Sequence, residues 1–323
     1  MSCLNWDWVM TLSRTGIGTV FPLLSLLFLF WPGPSAAGPV SQEDCRDLQE
    51  IKVKNEGELE YSDALLWRIE KAGHRPSHIF GTIHVSDPRI VDLPEPVSVA
   101  LNASEIFVME ALEEPEATRE LSQMMRFEDG TTLRDFLDDR LFERTAGILS
   151  AYSISRETTM FMKPWAAFLV MNYPAEQGLP LDLQLLHIAR QNGASIHGLE
   201  SLSEQGNVFN TLQIETQIRF LLDTVCNYEI VSGDFEKMKS FYLERDLKGL
   251  FDYSNKYTVS EESIYRDLLR KLLIDRNYVM VERMQPALES GNAFIAVGAM
   301  HLPGSEGVLA LLEKRGYTIT PVY

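Results

Sequence analysis

Residues 77–112 read SHIFGTIHVSDPRIVDLPEPVSVALNASEIFVMEAL. An apolar run, Ile79–Ile83, reads as a strand that ends at His84. A loop with three prolines follows, and PVSVALNAS reads as a short helix with Pro96 in its first turn, where a missing N–H costs nothing. EIFVMEAL is the next strand, running from Glu105 to Met109 and ending at Glu110. Strand, helix, strand in this order implies a parallel pair joined by a right-handed crossover. The geometry has a consequence: His84 and Glu110 both follow carboxyl ends of parallel strands, and that edge is where open α/β sheets bind ligands.

Upstream, Leu65, Trp67 and Ile69 alternate, and His74–Pro76 reads as a turn, so residues 65–83 form a hairpin. Downstream, residues 113–176 are mostly helical. Leu133, Phe136, Leu137, Leu141 and Phe142 keep a helical spacing. Met124, Met125, Met160, Met162 and Met171 read as core fillers, because methionine adapts to irregular gaps. In LDLQLLHIARQNGASIHGLES, Asp182 is placed to cap a helix that Gly193 stops, and the strand that follows delivers Glu200. Residues 205–290 are helical and carry Arg276 and Asn277. AFIAV, a helix and YTITPVY close the chain. The expected fold is α/β: a central mixed, largely parallel sheet with helices on both faces and a helical insertion. No Gly/Ser linker interrupts residues 60–323, so residues 38–323 read as one domain.

The strand AFIAV repeats the behaviour of the quoted stretch. GNAFIAVGAMHLPG places His301 three residues after Gly298, as His84 stands three after Gly81. A glycine in the approach removes a side chain from a crowded strand end and lets the backbone turn there. Read singly, each histidine is an ordinary polar residue at a sheet rim. Glu110 alone is a strand-end carboxylate, and Arg276 and Asn277 alone are a helix face. Read together, two imidazoles with Glu110 and Glu200 suit a catalytic divalent cation with an open coordination position. His74, His78, His187 and His197 lack this context. The zinc-protease HExxH, the serine-hydrolase GxSxG and the phosphate-binding P-loop are all absent.

FGTIHVSDPRI, VMEAL, LDLQLLHIARQNGASIHGLES, IDRNYVM and AFIAVGAMHLPGSEGVLALLEKRGY together resemble the TraB/GumN family, the bacterial relatives of the Tiki proteases. The likeness covers roughly residues 60–323. It implies a metal-dependent protease with His84, His301 and Glu110 at its centre. It also implies recurrent positions at Glu200, Arg276 and Asn277, and an α/β fold of two related halves akin to erythromycin-esterase-like proteins. The expected function is hydrolysis of a peptide or protein by water activated on manganese, cobalt or zinc. Glu110 or Glu200 would serve as ligand or base, and Arg276 as support for the oxyanion or a carboxylate. Two alternatives belong to other classes: a periplasmic protein that captures a metal or haem without catalysis, and a structural role for the sheet.

The formal charge of −17 argues against nucleic acid, whose phosphates need basic patches. At the N-terminus Arg14 precedes the apolar run Val20–Trp31, and PGPSAAG follows. Residues 1–37 read as a secretory signal peptide cut near Ala37 and Gly38. The run is short against the roughly 20 residues of a membrane span, so membrane association would come only through an uncleaved anchor. The expected location is the periplasm or the exterior. Cys45 and Cys226 remain after cleavage, either as a disulfide tying the new N-terminus to the body or as two thiols.

Overall fold

The computed structural model describes residues 39–46, 49–50, 59–175, 178–254, 257–258 and 262–323. The expected signal peptide lies outside these residues.

Six strands form the central sheet: β1 (Leu66–Glu70), β2 (Ser77–Thr82), β3 (Ile106–Ala111), β4 (Ser195–Glu200), β5 (Ala293–Gly298) and β6 (Thr318–Pro321). Their spatial order is β4-β3-β5-β2-β1-β6. The first four of these run parallel, and β1, antiparallel to both its neighbours β2 and β6, completes the other side. The hairpin, the crossover and the last strand stand as expected. One pairing differs. β2 and β3 are parallel but not adjacent, because β5 enters between them. The centre of a sheet covered on both faces demands the most apolar strand. AFIAV meets that demand better than its neighbours, with Ala293 to Val297 at most 2% exposed.

The principal helices are α1 (Glu95–Ala103), α2 (Pro115–Met124), α3 (Asp139–Ser150), α4 (Pro164–Met171), α5 (Leu181–Gln191), α6 (Leu202–Asn210), α7 (Ile214–Cys226), α8 (Tyr228–Leu243), α9 (Asp275–Arg283) and α10 (Val308–Glu313). α1 and α5 pack together, and α5 lies on β3 and β4. α9 lies against β4 and α10. The long helix expected from Leu133 onward is interrupted. A 3-10 turn spans Leu133–Asp135, and Asp138 then caps α3 by accepting from Leu141 N–H at 2.8 Å. Gly193 ends α5 with a φ of +77°, as expected. Asp182 is not the cap of α5, because Pro180 holds that position and Asp182 lies in the first turn.

Two apolar clusters result. One surrounds the sheet. The other gathers Phe142, Leu149, Trp165, Met171 and Leu221 from α3, α4 and α7, and the five methionines pack in it or against it. Cys45 and Cys226 are joined in a disulfide with Cα atoms 5.7 Å apart, which fastens the chain before the sheet to the end of α7. The closed loop of 181 residues restricts the unfolded chain strongly. Replacing Cys226 by serine is expected to remove about 2–4 kcal/mol of stability. Reductant should lower the melting temperature of the natural protein toward that of the variant and leave the variant unchanged.

Candidate metal centre

The parallel register delivers four chain segments to one sheet edge. Thr82 pairs with Gly298, Met109 with Ala296, and Ala111 with Glu200. His84, the turn carrying His301, Glu110 and Glu200 therefore emerge side by side.

The two glycines have separate steric reasons. A Cβ on Gly81 would stand 2.7 Å from Leu302 Cδ1 and 3.0 Å from Ala299 Cα. The first motif's glycine is thus the floor on which the second motif's turn, Ala299–His301, rests. A Cβ on Gly298 would stand 3.0 Å from Glu110 Oε1. Glycine there also lets its own N–H reach that oxygen, at 2.5 Å.

His301 is 4% exposed. Its tautomer follows from its neighbours. Asn277 Nδ2 donates to the Glu306 carbonyl at 2.8 Å, so Oδ1 is the atom facing His301 Nδ1 at 2.6 Å. Nδ1 must then carry the proton, which leaves the Nε2 lone pair free, 3.8 Å from Glu110 Oε1. Burial pushes the ring's pKa down to about 4, so it is neutral at neutral pH, as a ligand must be.

Glu110 and Glu200 share one cation. Arg276 Nη2 lies 2.7 Å from Glu110 Oε2 and 2.7 Å from Glu200 Oε2, and Nε donates to Glu200 Oε1 at 3.1 Å. Gln205 Nε2 donates over long contacts to Glu110 Oε2 at 3.4 Å and to Glu200 Oε2 at 3.3 Å. A π-helical turn, Arg270–Ile274, leads into α9, and Arg276 Nη1 donates to the Leu272 carbonyl in that turn at 3.1 Å. Burial alone would raise the Glu110 carboxyl. Arg276 and the Gly298 N–H pull it down, as does the His301 ring when protonated, and the group lies below its ordinary value. The Glu200 side chain is only 5% exposed.

His84 stands at the mouth, with its side chain 46% exposed. Asp182 Oδ2 accepts from its Nδ1 at 3.2 Å, and Thr82 Oγ1 donates to the other Asp182 oxygen. Burial opposes charge on this ring, but the Asp182 carboxylate prevails and the pKa lies above the ordinary value. Nearby Glu113 is raised by burial. Asp182, Thr82 and Gln205 were not legible as site residues. Asp182 reads as a helix cap, and only its place just after the N-cap Pro180, facing a strand end, could have revealed it. His74, His78, His187 and His197 stay outside the cluster, as expected. His74 reaches the Glu289 carbonyl, His187 pairs with Gln191, and His197 with Ser195.

Among the described residues, no three His, Cys, Asp or Glu side chains enclose an ion. His301 and Glu110 form an assembled pair, and His84 is turned toward Asp182. The donor chemistry nonetheless fits a divalent cation: two imidazoles, each with Nδ1 committed to an oxygen, and a carboxylate with one oxygen free on one side.

A family model described as the TraB/PrgY/gumN family matches residues 65–321, and the chain belongs to that family. It is 24% identical over 311 residues to a protein named Metalloprotease TIKI1 of Danio rerio, covering 80% of this chain and 63% of that one. It is 25% identical over 313 residues to a Metalloprotease TIKI homolog of Amphimedon queenslandica, covering 80% and 61%. A Shigella flexneri protein named Uncharacterized protein YbaP is 22% identical over 252 residues, covering 76% and 90%. The chain spans about three fifths of the length of the Tiki relatives. No solved structure matches the chain significantly.

Two substitutions probe the construction of the centre. Gly81→Ala is expected to cost about 1–3 kcal/mol in urea unfolding, because the new methyl presses on backbone of the His301 turn. Arg276→Met leaves the buried Glu200 and the partly buried Glu110 without their cation and should cost about 3–5 kcal/mol in the same measurement.

Proposed function

We propose that the chain is a metal-dependent hydrolase acting on peptide bonds. The observation that carries this reading is the His301–Glu110 pair: a buried neutral imidazole whose Nε2 faces a carboxylate oxygen at 3.8 Å, on the edge where His84 also emerges. Names of the Tiki relatives support it, as metalloproteases similar to this chain over 80% of its length.

His301 Nε2, His84 Nε2 and Glu110 Oε1 are the atoms to hold the ion. Asn277 and Asp182 are the residues that turn the two rings toward it. When bound, the cation supplies an acidified water and polarises the scissile carbonyl. Among the described residues Glu110 Oε1 accepts only from the Gly298 N–H, so a lone pair remains for the ion or for the proton of the attacking water. Glu200 has both oxygens on Arg276, so its part is to anchor the guanidinium that in turn orients Glu110. The substrate is a peptide or protein segment lying across the strand ends. The ion is manganese, cobalt or zinc, since imidazole and carboxylate together accept each of them.

We place the mature protein in the periplasm or outside the cell. The Cys45–Cys226 disulfide supports an oxidising compartment. Among the described residues no helix is long and apolar enough to cross a membrane.

The test is cleavage of an unbiased peptide library with manganese, cobalt or zinc, alongside metal titration. His301→Ala should abolish both turnover and tight metal uptake. Glu110→Gln separates two roles: loss of turnover with the metal retained assigns it the proton, and loss of both assigns it ligation. Stoichiometric uptake of metal or haem by the natural protein without cleavage of any peptide would establish a binding protein instead.

A further inference from the structure

The loop after α4 brings one residue of the helical layer to the sheet edge. The Tyr173 ring meets the His84 ring edge to face, with centroids 5.4 Å apart and planes at 72°. Its backbone is fixed from behind. Tyr152 Oη donates to the Tyr173 carbonyl at 2.7 Å and contacts Tyr228 Oη at 2.9 Å. The preceding Asn172 donates from Nδ2 to the Phe168 carbonyl at 2.8 Å and to Thr224 Oγ1 at 3.3 Å. Pro174 follows and limits the backbone further.

The side chain these contacts present is otherwise unexplained. Tyr173 is 43% exposed, yet its ring lies against a site histidine instead of filling the core. Among the described residues its hydroxyl makes no hydrogen bond to a protein group, so it is open to a ligand at the sheet edge. A phenol keeps its proton at neutral pH and can donate. A phenol O–H carried on a backbone held by Tyr152, with its ring on His84, is a donor available to an acceptor at this edge.

We infer that Tyr173 is a further catalytic residue, whose Oη–H donates a hydrogen bond to the carbonyl oxygen of the scissile amide as that oxygen gains negative charge. This rests on the hydrolase reading above. In the reaction, the water oxygen bonds to the carbonyl carbon and the π pair moves onto the carbonyl oxygen. The water's proton passes through a site carboxylate to the leaving nitrogen, and the C–N bond breaks as the π bond re-forms. Tyr173 keeps its proton throughout. Its contribution is a donor aimed where charge develops, which is worth more in the transition state than in the ground state.

Tyr173→Phe removes the hydroxyl and keeps the ring on His84. The expected result is a fall in kcat of about 10- to 100-fold with KM, metal affinity and melting temperature unchanged. A phosphinic peptide, which presents a tetrahedral anion, should bind the variant more weakly by a similar factor, while the carboxylate product binds equally well. Tyr173→Leu, which also removes the ring, should raise KM in addition. A Phe variant with natural kcat and natural phosphinic-peptide affinity overturns the role and leaves the hydrolase reading standing. Absence of metal-dependent cleavage by the natural protein overturns the hydrolase reading, and the tyrosine's role falls with it.

Discussion

Two carboxylates at neighbouring strand ends, one buried and one partly buried, repel one another unless a cation lies between them. Arg276 is that cation. A guanidinium presents several N–H groups in one plane, so one side chain can bind Glu200 through two nitrogens and still reach Glu110. A lysine, with a single nitrogen, would hold one carboxylate well and the other poorly. The triad therefore joins β3, β4 and α9 at one point, and Glu110 takes its orientation from it. Buried ion pairs of this kind add little net stability once desolvation is counted. What this one supplies is position: it leaves Glu110 Oε2 committed and turns Oε1 toward His301.

The neighbouring residue on the same helix performs the complementary task. Arg276 reaches the ends of β3 and β4, while Asn277 reaches the turn after β5 and sets which nitrogen of His301 carries the proton. Met280 and Val281, fully buried, seat the helix against the sheet so that both residues are held in place. One helix thus sets both the charge state around the carboxylate and the lone-pair direction of the imidazole.

Much of this arrangement was legible in the chain. Period-two alternation at Leu65, Trp67 and Ile69 and the unbroken apolar run AFIAV marked strands because a sheet's two faces bury what they bury. The repeated glycine-to-histidine spacing located the edge, and Glu110, Glu200, Arg276 and Asn277 all arrive there. Strand order was not legible. Local pattern shows that β2 and β3 are parallel, but which strand lies between them is decided by burial of a segment two hundred residues away. Asp182 was misread for a related reason: a helix-start aspartate is ordinarily a cap, and its bond to His84 depends on how α5 sits on the sheet. The interruption before α3 was likewise hidden, since Leu133, Leu137 and Leu141 keep helical spacing on both sides of the capping Asp138.

The close approach at Gly81 has a further implication. The floor without a Cβ beneath Ala299 and Leu302 makes three positions share one small volume, although the first lies more than two hundred residues from the other two in the chain. Size at any one of them cannot drift independently. A relative carrying a larger residue at the first position would have to surrender bulk at the other two, or rebuild the bend that presents the second imidazole. The two motifs are in this sense a single steric unit.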